Sequence, residues 1–95
     1  MAYAIMHFWP GGTAEQYDIS IRAVHPSDGS LPPGQIVHSA GAVDGGYHIY
    51  AVYETKEGWE EFRDTVVLPY AAQNHEGGFT GIPIETDIEV HHLAP

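Results

Sequence analysis

Asp44-Gly45 stands at the middle of the chain between two strand-like runs, and no other pair constrains the fold so tightly. Asp-Gly favours the left-handed backbone of a tight turn, so Gln35–Val43 and residues 46–54 read as the two arms of a hairpin. Outside each arm lies a helical pattern and then one more strand pattern. Thr13-Ala14-Glu15-Gln16 fits a capping box, and Tyr17, Ile21 and Val24 follow at helical spacing. A first helix therefore spans roughly residues 13–25, stopped by His25-Pro26. A second helix starts at Thr55, with Trp59, Phe62, Val66 and Tyr70 as its apolar stripe and Glu57, Glu60, Glu61 and Asp64 on the wet side. Pro69 either kinks this helix or ends it, leaving a short piece to about Asn74. Residues 3–9 form the opening strand, closed by Pro10-Gly11-Gly12, and residues 85–93 the last one.

The order is βαββαβ. Two right-handed crossovers then give one ferredoxin-like α+β domain over residues 1–95, a four-stranded antiparallel sheet with both helices on one face. The other face is left bare and partly apolar. A homodimer in which two such sheets face each other, a dimeric α/β barrel, is the economical cover for it.

Composition narrows the partners. Thirteen acidic residues face only Arg22, Lys56 and Arg63, and the net charge of −10 argues against nucleic acid and anionic membrane, which need basic patches. No run is long enough to span a membrane, and the N-terminus lacks a basic segment leading into an apolar one, so a cytoplasmic location is expected. Without cysteine there is no disulfide, thiolate metal site or cysteine nucleophile.

Five of the seven histidines (His7, His38, His48, His91 and His92) fall in or at the end of strand segments, with Trp9, Tyr47 and Tyr50 beside them. Imidazole moves protons near neutral pH, so the sheet is expected to wall a polar, aromatic-lined cavity. Strand parity sorts the candidates. Tyr47, Ile49 and Ala51 share the more apolar face, expected to meet the helices and the cavity; His48 and Tyr50 share the other. If the turn is Asp44-Gly45 alone, His38 joins the Tyr47 face; if Gly46 belongs to the loop, His38 joins the His48 face. In the last strand Ile88, Val90 and His92 share the apolar face, while Glu89 and His91 share the opposite one.

His7, near the end of what would be a central strand, is the leading acid–base candidate. His38, Tyr47 and Tyr70 are the groups expected to assist by orienting or polarising an oxygen. Trp9, Tyr17, Ile49, Trp59, Phe62, His75 and His92 are the expected substrate contacts, aromatic walls with a few polar points being suited to a flat ligand. His25 reads as a helix-closing residue whose imidazole suits the dipole. His48 and His91 are expected at the dimer interface. No metal is expected, because His91-His92 point to opposite faces of a regular strand and no His-x-His or His-x3-His pair exists.

Tyr-Ala-Ile-Met-His-Phe-Trp followed by Pro-Gly-Gly-Thr, the strand Gly-Gln-Ile-Val-His-Ser-Ala-Gly, and Gly-Trp-Glu-Glu-Phe-Arg-Asp in the second helix together carry a resemblance. The whole chain resembles the dimeric α/β-barrel superfamily, near its antibiotic-biosynthesis-monooxygenase-like group. That superfamily includes cofactor-free monooxygenases of polycyclic aromatics, polyketide cyclases, haem-degrading proteins and small isomerases. The resemblance implies a pocket within each subunit, between sheet and helices. The cyclases carry a His and a Tyr near the end of the second helix, which maps here onto Tyr70 and His75. The expectation is a small enzyme that works by acid–base catalysis on an aromatic or polyketide-like hydrophobic molecule, with no cofactor. Its rivals are a haem- or metal-binding protein and a non-catalytic dimer that holds a hydrophobic ligand.

Overall fold

The computed structural model describes residues 2–73 and 76–94. Its elements are β1 (Tyr3–Pro10), α1 (Ala14–Val24), β2 (Gln35–Val43), β3 (Gly46–Tyr53), α2 (Lys56–Phe62), α3 (Leu68–Ala72) and β4 (Ile84–Glu89). The strands order β2-β3-β1-β4, and every pair of neighbours is antiparallel. This is the expected ferredoxin-like α+β sheet. Each crossover skips one strand, and both helices come down on the face of Ile5, His7, Ala51 and Tyr53. Among the described residues no helix is long and apolar enough to cross a membrane.

Local chemistry sets the helix ends. The Gln16 backbone N–H donates to Thr13 Oγ1 at 3.2 Å, and the Thr13 N–H donates to Gln16 Oε1 at 3.0 Å. This capping box satisfies donors that the first turn leaves open. At the far end the His25 N–H closes on the Ile21 carbonyl. Thr55 caps α2 by accepting from the Gly58 N–H at 3.1 Å.

Pro69 has an outcome outside both expectations. Between α2 and α3, Arg63–Val67 form a π-helical turn, and the Leu68 N–H reaches back to the Arg63 carbonyl. In an α-helix the Pro69 ring would strike the Thr65 carbonyl four residues back. A wider turn immediately ahead of the proline moves that wall aside, so the chain keeps helical dihedrals through the site. The second piece ends at Ala72; Asn74 and His75 lie outside the described residues.

The hairpin takes the two-residue turn: Val43 pairs with Gly46 and His38 with Ala51. Gly46 has no room for a side chain, since a Cβ there would run into the Trp9 carbonyl oxygen. The other end of β2 is irregular. Gln35 pairs with Tyr53 and Val37 with Val52, so Ile36 is an extra, bulged residue. Because of that bulge, Gln35 and His38, three apart in sequence, share the helix face. Regular alternation would set them on opposite faces.

The principal core joins Tyr3, Ile5, Ala51, Tyr53 and Trp59, with Phe62 packed against it. Ala4, Val52 and Val90 form a smaller cluster on the other face, which no helix covers. On that open face Ile84 is 59% and Ile88 48% exposed.

The last strand differs from its expected form. It ends at Glu89, although the Val90 N–H still donates to the Ala2 carbonyl at 2.9 Å. His91 and His92 follow it as exposed residues. Register with β1 sets Glu85 opposite His7 and Asp87 opposite Ile5, so the carboxylates lie on the helix face and Ile84 and Ile88 on the open one. Polar partners hold them there: the Tyr3 hydroxyl donates to Asp87 at 2.7 Å, and Glu85 bonds His7.

Candidate functional site

Between the sheet and the helices lies a cavity of about 480 Å³, the size of a small-molecule site. β1 contributes Ile5, His7 and Trp9 to its wall, and β3 contributes Ile49, Ala51 and Tyr53. α1 closes it from above with Tyr17, Ile21 and Val24. α2 and the π-helical turn add Trp59, Phe62, Arg63 and Val67. Trp9 and Phe79 stack in parallel at one end, with ring centres 4.6 Å apart.

Four polar side chains form one continuous hydrogen-bonded line in this apolar setting. Tyr17 Oη lies 2.6 Å from His38 Nε2; His38 Nδ1 lies 3.0 Å from Gln35 Oε1; Gln35 Nε2 donates to Tyr53 Oη at 2.7 Å. The directions follow from the inventory of donors and acceptors. The amide oxygen of Gln35 can only accept, so His38 carries its proton on Nδ1. Neutral His38 then accepts from the Tyr17 hydroxyl at Nε2. Burial holds the His38 pKa below its ordinary value and raises that of Tyr17, Tyr47 and Asp18 adding to the latter. Burial pushes the Tyr53 phenol up to about 12, against the opposing pull of Gln35.

His25 stands edge-on to His38 with ring centres 4.7 Å apart, and edge-on to Phe62 at 6.1 Å. Burial, and secondarily the neighbouring His38, lowers its pKa to about 4. Both imidazoles are therefore neutral at pH 7.

A second pair sits in the same wall. His7 Nε2 and Glu85 Oε2 are 2.9 Å apart, and the Trp59 ring leans over His7 at 5.5 Å. An ionised carboxylate only accepts, so Nε2 carries a proton in this contact.

The structure brings His7, Trp9, Tyr17, His38, Ile49, Trp59, Phe62 and Tyr70 onto the cavity wall. Tyr47 is buried behind Tyr17, ring centres 5.3 Å apart, and does not reach the cavity surface. His92 does not line it either: β4 ends at Glu89, and His92 follows as an exposed residue. His75 lies outside the described residues. Sequence reasoning passed over His25, Gln35, Tyr53 and Glu85. Only the β2 bulge brings Gln35 behind His38, and no residue pattern announces that bulge. Glu85 was hidden by assigning the apolar face of β4 to the helices.

Among the described residues, no group of three or more His, Asp or Glu side chains is placed to hold a metal ion. A porphyrin bound here would need an imidazole with one free nitrogen to hold its metal. His7 keeps Nδ1 outside its Glu85 contact, whereas both nitrogens of His38 are engaged.

Solved structures share this fold. The chain superposes on a single-residue mutant of MhuD with two manganese protoporphyrin IX bound per active site, with a TM-score of 0.64. Sequence identity is 13% over 100% of this chain and 99% of that one. It superposes on a mutant form of SnoaB, a cofactor-independent oxygenase from Streptomyces nogalater, with a TM-score of 0.58. There identity is 16% over 99% of this chain and 96% of that one. No protein-family model matches the sequence, and no curated protein does. The subunit thus has the same ferredoxin-like fold as these two proteins.

Proposed function

We propose that the chain is a small enzyme that transfers protons to and from a flat aromatic or polyketide-like hydrophobic molecule held in this cavity. It works as a homodimer without a bound organic cofactor, and the outcome is monooxygenation, cyclisation or isomerisation. The observation that carries the reading is the pair of imidazole sites, Tyr17–His38 and His7–Glu85, set in the wall of one otherwise apolar cavity. Acid–base groups gathered in an apolar cleft are what proton-transfer catalysis requires. The likeness to a cofactor-independent oxygenase supports the same class of chemistry.

The test needs no knowledge of the natural substrate. 5-Nitrobenzisoxazole is a flat probe that opens when a base removes its C3–H; the N–O bond breaks, and a nitrile and a coloured phenolate form. The protein is expected to bind it saturably, quenching Trp9 and Trp59, and to accelerate the opening. A double variant, His7→Ala with His38→Ala, should lose that acceleration. A double variant as fast as the parent rules the reading out.

The likeness to a porphyrin-bound protein favours a second reading, that the cavity holds a tetrapyrrole. Haemin titration distinguishes them: a saturable Soret band that shifts in His7→Ala supports haem, and an unchanged free-haemin spectrum removes it.

A further inference from the structure

His38 is the most strongly networked base in the cavity, yet it has no nitrogen left to offer a ligand. Nε2 is occupied by Tyr17 Oη at 2.6 Å and Nδ1 by Gln35 Oε1 at 3.0 Å. Its edge is covered by His25, 4.7 Å away between ring centres. Tyr17 lines the cavity as well, and its oxygen keeps a lone pair once its proton is given to His38. Among the described residues, the route from a molecule in the cavity to the His38 base therefore runs through the Tyr17 oxygen.

We propose that Tyr17 is the catalytic residue that takes the substrate proton, that His38 stores it, and that Gln35 is the positioning residue that keeps Nε2 free to receive it. The proposal rests on the proton-transfer reading of this cavity and adds the group that touches substrate and the acidity that substrate must have. In the step, a substrate X–H bond breaks and its proton joins Tyr17 Oη. The original phenolic proton moves to His38 Nε2. The electron pair stays on X, Tyr17 ends as a neutral phenol, and His38 becomes an imidazolium whose Nδ1–H still bonds Gln35. No oxidant or reductant enters.

The chemistry of the line sets the substrate class. A carboxylate behind an imidazole would stabilise the imidazolium; Gln35 offers only an amide oxygen, and it is buried behind a half-buried His38. His38 is thus a weak store, and each unit of acidity it lacks disfavours the transfer tenfold. The relay suits protons already acidified by conjugation: phenols, enols, or carbon acids flanked by electron-withdrawing groups. An unactivated ketone lies outside its reach.

The test uses 5-nitrobenzisoxazole on the intact protein. Tyr17→Phe should lower the acceleration about tenfold or more while leaving saturable quenching in place. Gln35→Glu places a carboxylate behind Nδ1–H and should move the pH midpoint of the acceleration upward by about one unit. A merely structural role for Gln35 would leave that midpoint where it was. Nitrogen-detected NMR of the parent protein gives a reading independent of folding in the variants: His38 should be neutral at pH 7 with its proton on Nδ1. A proton on Nε2 overturns the relay. So does full acceleration in Tyr17→Phe. If that acceleration vanishes in His7→Ala, the His7–Glu85 pair is the base, and proton-transfer chemistry survives without the relay. Absence of both binding and acceleration removes the relay and the functional reading together.

Discussion

The His25 ring meets the His38 ring edge-on with centres 4.7 Å apart, so the two imidazoles would repel if both were charged at once. His25 belongs to the end of α1 and His38 to β2, so this contact ties the helix to the sheet at the cavity wall.

That contact sets a pH dependence. The unfolded chain takes up a proton on His25 near pH 6.5, whereas the folded protein resists until about pH 4. Stability should be intact above pH 6.5, decline as pH falls through that value, and level off below about 4. His25 is half-buried, so solvent reduces its effect to the order of 2 kcal/mol. Melting temperature followed from pH 7.5 to 4 measures it, and His25→Gln should flatten the slope. The backbone N–H of residue 25 closes α1 whatever the side chain, which makes that variant a clean comparison.

The uncovered sheet face makes a second expectation. Ile84, Ile88, Val37 and Val43 expose a third or more of their surface there. The protein should sediment as a dimer of the 10.4 kDa chain at micromolar concentration. Ile88→Asp should return it to the monomer mass with its cavity intact. A parent protein that is already monomeric would refute the face-to-face pairing.

Pro69 offers a third. In Pro69→Ala the reason for the wide turn at Arg63–Val67 is gone, and a regular α-helix becomes the better conformation. Stability should rise by about 1 kcal/mol in a urea titration. Closing the turn rotates Arg63, Val67 and Leu68 against the cavity, so quenching of Trp59 by flat aromatic probes should weaken at the same time. Unchanged binding would show that the turn does not shape the wall.

Gly46→Ala should be costly. The new methyl would run into the Trp9 carbonyl oxygen across the β1–β3 ladder, and backbone cannot yield as a side-chain tip can. A loss on the order of 3 kcal/mol is expected from the shift in urea midpoint, with Gly41→Ala, where nothing lies within 4 Å, as the silent control.

The fold was legible because its signals are local. The Thr13–Gln16 box, the Asp44-Gly45 turn and the Thr55 cap each act over three or four residues, and together they impose the order of elements. The face of β3 that meets the helices could also be read from Tyr47, Ile49 and Ala51. The site was less legible because its contacts are long-range. Gln35 reaches His38 only across a bulge, and His25 meets His38 only after a crossover. Apolar pattern alone misled at β4: Ile84 and Ile88 serve the open face, while Tyr3 and His7 draw the carboxylates of Asp87 and Glu85 inward.

The carboxylates on β4 have a further consequence for how copies of this chain meet. β4 is a border strand, bonded only to β1, and its outer rim offers unpaired backbone groups to any passing strand. Glu85, Asp87 and Glu89 alternate along one side of it. Zipping two such rims together would crowd the acids of both copies into one seam, with no lysine on the strand to separate them. Inward-pointing charge on a border strand is a guard against that growth. The β4 border thus resists pairing sideways with a second β4, and leaves the uncovered face as the place where a finite assembly can form.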